Sequence, residues 1–243
     1  MELPIPDVPF LSLIIPAWNE EDRLPETLPR ALAWLRQQPF TWEVRVVDDG
    51  STDRTAAVVE ELAQAEPRLL VQREEHRGKG GAVRAGMLAS RAEYRFLADA
   101  DFSMPVQEVA RFLPPYLVGA DVAIGTREGP GAIRVGEPHR RHLMGRVFNT
   151  LIQALLLPGI ADSQCGFKCF SGRAADALFP RQGVDGFAFD VEILHLARLD
   201  GFAIVEVPIT WHYMEASKIS PVRDTVRMVQ EVLRVRAAHA GRR

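Results

Sequence analysis

The feature that most constrains the fold of this chain is a repeated alternation between Leu11 and Gly125. Short apolar runs end in polar turns, and each turn leads into a stretch of helical periodicity. Residues 11–15 (LSLII) stop at Pro16 and read as a buried strand. Leu24, Leu28, Leu32 and Leu35 then recur at helical spacing. A second strand, 42–47, closes at Asp48-Asp49-Gly50, and Ser51 or Thr52 can cap a helix over 55–65. Residues 68–72 form a third strand. The glycine-rich turn 78–81 precedes a helix over 82–90, and the strand 94–98 ends at Asp99-Ala100-Asp101. Pro105 opens a helix through Phe112, and 121–125 is the next strand. This pattern predicts an α/β domain with a mostly parallel central sheet flanked by helices.

The second half is less regular. Residues 129–138 read as a glycine- and proline-bearing loop, 141–157 as a helix with a broad apolar face, and 224–238 as a terminal amphipathic helix. Strands over 167–170 and 203–207 flank a helix over 189–199. No repeat, low-complexity tract or linker divides the 243 residues, so one domain is the economical reading.

A net charge of −3 argues against nucleic acid as a partner, although 127–146 gathers five arginines and two histidines. Cys165 and Cys169 stand at a spacing that suits neither zinc nor a redox pair, so both read as reduced thiols. The first ten residues lack a signal-peptide pattern. No run reaches the roughly 18 apolar residues of a membrane span. The expected location is the cytoplasm, with peripheral contact at the cytoplasmic face of a membrane left open. Only Lys79, Lys168 and Lys218 are lysines in a chain that otherwise uses arginine.

Ligands of open α/β sheets bind at the carboxyl ends of strands. Three such ends are polar here: 16–21, 48–51 and 99–101. Asp99 and Asp101, one residue apart on a turn, can face one divalent cation, and hard carboxylate oxygens suit Mg²⁺ or Mn²⁺. A D-x-D pair alone is weak, because aspartate is common in turns; the strand before it and the two companion turns strengthen the metal reading. One of Asp48 and Asp49 can accept from a base N–H while the other caps a helix. Residues 77–81 (RGKGG) lack the P-loop spacing and serve equally as a diphosphate turn or a plain loop.

Taken together, LSLIIPAWNEEDRL, VRVVDDGSTDRT, HRGKGGAVRAGM, FLADADFSMP and AIGTR resemble family 2 of the inverting glycosyltransferases, whose fold is a single Rossmann-like GT-A domain. ADSQCGFKCF, GFAFDVEIL and ITWHYMEASKI are similar to its dolichyl-phosphate glucosyltransferase branch. The resemblance implies transfer of a hexose, glucose from UDP-glucose, to a polyprenyl phosphate. GDP-mannose is the runner-up donor, disfavoured because Ser103 stands where many mannosyl-lipid synthases carry Gln. It implies that Pro16, Ala17, Glu20 and Asp49 hold the nucleoside. Asp99, Ala100 and Asp101 would meet the diphosphate, with Asp99 and Asp101 on the metal and Lys79 near the donor. Arg127, Arg141 and Lys218 would meet donor or acceptor phosphate, and Gln164, Gly166 and Phe167 would line the sugar site. About 1–128 would then form the nucleotide-sugar and metal half, and about 129–243 the acceptor half. One departure is Ala216, where relatives usually have Gly before the Ser-Lys pair.

The acceptor decides what activates the nucleophile. A hydroxyl needs a general base, for which Asp162, Asp190 and Glu192 are candidates. Asp190 and Glu192 also suit a helix start, where acidic residues are favoured. A phosphate monoester, with a second pKa near ~6, is already largely dianionic and needs cations instead. Arg127, Arg134, Arg140, Arg141 and Arg146 are candidate clamp residues, or simply a basic face. The helix 141–157, basic at its start and apolar afterwards, suits either a lipid interface or the core. Rival readings are a soluble transferase with a hydroxyl acceptor, a nucleotidyltransferase, and a non-catalytic nucleotide-sugar binder. The placement of Asp99 and Asp101, and the lack of a G-x-G-T-R loop after the first strand, argue against the nucleotidyltransferase. Intact aspartates and Ser217-Lys218 argue against the binder.

Overall fold

A computed structural model describes residues 8–213 and 221–239; the side chains of 139–144, 147–148, 221–226 and 239 lie outside that description. The alternation expected from the sequence is present as β1 (Leu11–Ala17), α1 (Leu24–Leu35), β2 (Trp42–Asp49), α2 (Thr55–Ala63), β3 (Leu69–Glu74), α3 (Lys79–Ala89), β4 (Tyr94–Ala98) and β5 (Val122–Thr126). There follow β6 (Ile133–Val135), α4 (His139–Leu155), β7 (Phe167–Ser171), α5 (Gly172–Leu178), α6 (Phe189–Leu199), β8 (Ile204–Pro208), β9 (Thr210–His212) and α7 (Pro221–His239).

Seven strands form the main sheet in the order β3-β2-β1-β4-β7-β5-β8. Six run parallel, while β7 enters antiparallel to both neighbours, with Ala98 opposite Phe167 and Ile124 opposite Lys168. Strands buried on both faces explain the continuous apolar runs. One face packs on α1 through Leu13, Ile15, Leu28 and Leu32. The other packs on α3, α5, α6 and α7 through Ile14, Val83, Phe170, Leu194 and Val232. Gly86 is the point of closest approach of α3, because a Cβ there would meet Ile14 Cγ2 at 2.5 Å.

Some elements differ from the sequence reading. The helix expected after Pro105 is present over 106–112 as a 3-10 helix. Val106, Val109 and Phe112 are its buried residues, and a period of three stacks such positions along one edge. The loop expected over 129–138 contains β6, which pairs in parallel with β9, Arg134 opposite Trp211. Helix α3 starts at Lys79, inside the expected turn. Helix α5 was not expected; Ser171 caps it by accepting from the Ala174 amide at 3.2 Å. Among the described side chains of α4, Ile152 is fully buried and Leu151 is exposed, so its later turns face the core. Among the described residues no helix is long and apolar enough to cross a membrane.

Candidate active site

The parallel strands bring the first two polar turns together by register, since Ala17 lies opposite Asp48. Asn19 takes a left-handed φ of 55°, a conformation its short amide side chain tolerates. Its amide donates to Ser51 Oγ at 2.9 Å, and its Oδ1 accepts from the Thr52 amide at 2.8 Å. The Glu20 amide donates to Thr55 Oγ1 at 2.7 Å, and its carboxylate pairs with Arg23 at 2.9 Å. Trp18, 42% exposed, stacks on His76 with ring centroids 5.1 Å apart.

Both aspartates after β2 are engaged by loop amides. Asp48 accepts from Ser51 at 3.2 Å. Asp49 accepts from the Arg77 amide at 2.9 Å and the Gly78 amide at 3.0 Å, and meets His76 Nδ1 at 2.9 Å. Asp49 therefore also shapes the turn before α3, and a base N–H would have to share it.

That turn is not an open phosphate cradle. Gly78 has φ 119°, and a Cβ would lie 2.7 Å from the Asp185 carbonyl; at Gly80 it would meet the Val184 carbonyl at 2.6 Å. The glycines admit the 184–186 backbone over the start of α3, and Gly81 donates to the Asp185 carbonyl at 3.1 Å. Its lysine instead crosses to the third turn: Lys79 Nζ lies 2.5 Å from Asp99 Oδ1. Burial alone would lower the Lys79 pKa, but the carboxylates of Asp99, Asp190 and Asp101 outweigh it and raise it.

The turn after β4 carries Asp99 and Asp101, the pair expected to face a metal. Phe102 adopts a left-handed φ of 43° and donates to the Asp99 carbonyl at 3.1 Å, while Asp101 Oδ1 accepts from the Ser103 amide at 2.9 Å. Ala100 between them is buried. Gly166, just before β7, lies directly under Asp99: a Cβ would fall 2.0 Å from Asp99 Oδ2. No group of three or more His, Cys, Asp or Glu residues forms among the described residues. Among the described residues these two hard carboxylates have no third protein ligand beside them, a set that would suit a divalent cation completing its oxygens from a bound diphosphate.

Behind this pair lies a buried charge pair. Lys168, 1% exposed, donates to Asp190 Oδ1 at 2.7 Å and to the Cys165 carbonyl. Burial raises the Asp190 pKa, against the pull of Lys168 and Lys79. The thiols are free and buried, and burial pushes Cys165 up to about 12 and raises Cys169 as well.

At the end of β5, Arg127 grips Asp162 through Nε (2.7 Å) and Nη2 (2.8 Å) and lies over the Trp211 ring at 5.3 Å. Burial would raise the Asp162 pKa, but Arg127 dominates and lowers it. Arg134 is likewise held, by Glu128 at 2.7 Å and Glu137 at 2.5 Å.

Several expected roles shift. The Phe167 side chain does not line a pocket. It packs edge-on in the core against Phe96 and Phe112, centroids 4.6 and 5.3 Å away, because β7 alternates Phe167 and Lys168 between the two sheet faces. Glu192 accepts from the Gly183 and Val184 amides at 2.9 and 2.8 Å, so it anchors the loop over α3. Pro16, Ala17 and Gln164 fall on the strand-end edge with Asp99. The side chain of Arg141, on α4, and all of Lys218 lie outside the described residues. The Lys168–Asp190 pair was only half signalled, by a lysine inside the apolar run FKCF.

The chain is similar to known proteins in sequence and in fold. The glycosyl transferase family 2 model matches residues 12–179. The chain belongs to glycosyl transferase family 2. Among curated relatives, dolichyl-phosphate β-glucosyltransferases of Dictyostelium discoideum and Homo sapiens are 33% and 34% identical over 241 residues, covering 93% of this chain and 74% of each relative. Family membership makes the chain a glycosyltransferase. Its fold matches that of glucosyl-3-phosphoglycerate synthase from Mycobacterium tuberculosis, a structure in complex with Mn²⁺, UDP-glucose and phosphoglyceric acid. The TM-score is 0.70 at 20% identity, covering 96% of this chain and 80% of the synthase. The GT-A expectation is met.

Proposed function

We propose that this chain moves glucose from UDP-glucose to a polyprenyl phosphate of the dolichyl type, with inversion, at a membrane surface. The observation that carries this reading is the state of the three candidate bases. Asp162 is clamped by Arg127, Asp190 is buried on Lys168, and Glu192 accepts from two loop amides. A hydroxyl acceptor requires a base with access to its proton. A phosphate acceptor arrives ionised and asks only for positioning and cations.

Asp99 and Asp101 would hold Mg²⁺ or Mn²⁺ together with the donor diphosphate, and the ion would supply charge stabilisation for the departing UDP. Lys79, already on Asp99, lies beside the same diphosphate as a second cation. Pro16, Ala17, Glu20 and Asp49 border the nucleoside, and Gln164 and Gly166 the sugar. Asp190 holds Lys168 in place beneath the site. Arg127 presents a guanidinium edge toward the acceptor phosphate, with Arg141 and Lys218 as partners in that task.

The test is UDP release from UDP-glucose with metal, with and without a short polyprenyl phosphate, against Asp101→Ala. Release that needs both the lipid phosphate and Asp101 is the expected result. Donor binding without lipid-stimulated release would move the acceptor assignment elsewhere. Faster release from GDP-mannose would overturn the donor assignment.

A further inference from the structure

Strand β8 forms the outer edge of the sheet, and it carries a carboxylate that the reaction above does not use. Glu206 accepts from the Ala161 amide with both oxygens, at 3.0 and 2.9 Å, and from the Asp162 amide at 2.9 Å. The same short segment is held from a second side. Asn149, on α4, donates to the Ala161 carbonyl and accepts from Ser163 Oγ at 3.3 Å. Asp162 is therefore fixed through its backbone before its side chain does anything.

That side chain in turn fixes Arg127. Its carboxylate takes Nε and Nη2 in the parallel two-bond geometry, and its Oδ2 also accepts the Arg127 backbone N–H at 3.0 Å. Trp211 closes one face of the guanidinium, and the Arg127 carbonyl is held by Arg134 Nε at 2.9 Å. Among the described residues no hydrogen-bond partner meets Nη1. A long, flexible arginine is thereby reduced to one orientation with one edge to offer. Because Asp162 balances its charge, Arg127 contributes direction more than attraction. The net pull on a dianion has to come from other cations.

We propose that Glu206 is a positioning residue for the acceptor phosphate, acting through Asp162 to aim the remaining edge of Arg127. The proposal rests on the reading above that Arg127 meets that phosphate. Glu206 lies on an edge strand, away from Asp99 and Asp101 across β4, β7 and β5, so it has no direct part in donor binding. Glu206→Gln keeps the shape but replaces one accepting oxygen with a donor that opposes an amide N–H. The 161–162 segment then loses its register with Arg127.

The experiment compares full-length Glu206→Gln, Asp162→Asn, their double variant and Arg127→Ala. Each is assayed for kcat/KM toward a short polyprenyl phosphate at saturating UDP-glucose, for UDP-glucose affinity with Mn²⁺, and for thermal midpoint. Glu206→Gln should lower the acceptor kcat/KM by about tenfold, while donor affinity stays within about twofold. The double variant should be no worse than the poorer single variant, because residues acting in series are not additive. Should Glu206→Gln fail to fold, Glu206→Asp carries the same comparison, retaining the charge but drawing it back by one methylene. An unchanged acceptor kcat/KM in Glu206→Gln, with a reduced value in Arg127→Ala, overturns the relay. A matching loss of donor affinity also overturns it, since that is what a general scaffold role produces. An unchanged value in Arg127→Ala overturns the phosphate role of Arg127 itself, and the relay with it.

Discussion

Gly166→Ala is the sharpest test of how Asp99, one of the two proposed metal ligands, is held. A methyl group at this position would sit 2.0 Å from Asp99 Oδ2, 2.4 Å from Cγ and 2.7 Å from Oδ1. Ordinary contact begins near 3.4 Å, so the carboxylate would have to retreat by about 1.4 Å. The backbone has little room to absorb this, because Ala98 and Phe167, the neighbours of the two residues, are locked in register. Metal sites tolerate ligand displacements of only about 0.2 Å. A misplacement of about 1 Å near the chemistry costs on the order of a hundredfold, or about 2.7 kcal/mol of transition-state stabilisation. Gly166→Ala should therefore lose about a hundredfold in kcat/KM for lipid-stimulated UDP release and need more metal for half-maximal rate. Retention of kcat/KM within about threefold, with the metal requirement unchanged, would refute the argument that Asp99 depends on a bare backbone at this position.

Other expectations concern stability and the donor side. Lys168→Met strands the buried Asp190 carboxylate and should cost about 3–5 kcal/mol in urea unfolding; a loss under 1 kcal/mol, again roughly on that scale, would mean that Asp190 is already neutral. The lowered Asp162 pKa stabilises the fold fully above the ordinary value of 3.8, and that contribution fades as pH falls below it toward the depressed folded value. Unfolding curves of Asp162→Asn should accordingly be less pH-dependent than the parent in this acid range. Gly78→Ala forces a side chain into φ 119° and against the Asp185 carbonyl. It should destabilise by about 1–3 kcal/mol and weaken UDP-glucose binding, both readable in one thermal-shift titration.

How much of this was legible depended on how local the determinant was. The runs LSLII and FLADAD announce strand ends because burial on both faces and an abrupt polar stop coincide within a few residues. The position of Asp99 and Asp101 just past a strand end followed from that placement. Phe167 was misread because the side of a strand that a residue faces depends on where its neighbours pack, which the five residues of β7 do not reveal. The glycines at 78–81 were visible, but their reason, the backbone of 184–186 lying over them, is about a hundred residues away in sequence. Strand β6 escaped notice because three residues, two of them exposed, carry no period. Glu206 gave no signal at all: a lone acid in an apolar strand reads as a solvent-facing position until the amides of 161 and 162 are placed beside it.

The antiparallel insertion of β7 also dictates an order of assembly. Strands β1 to β4 can pair among themselves as soon as they exist, but both neighbours of β5, β7 and β8, come later in the chain. During synthesis, β5 must wait with both edges bare until residue 171 has emerged, and the turn bearing Asp99 waits with it for Gly166. A fragment that stops after the first half would carry Asp49, Lys79, Asp99 and Asp101 and still lack the strand that welds β4 to β5.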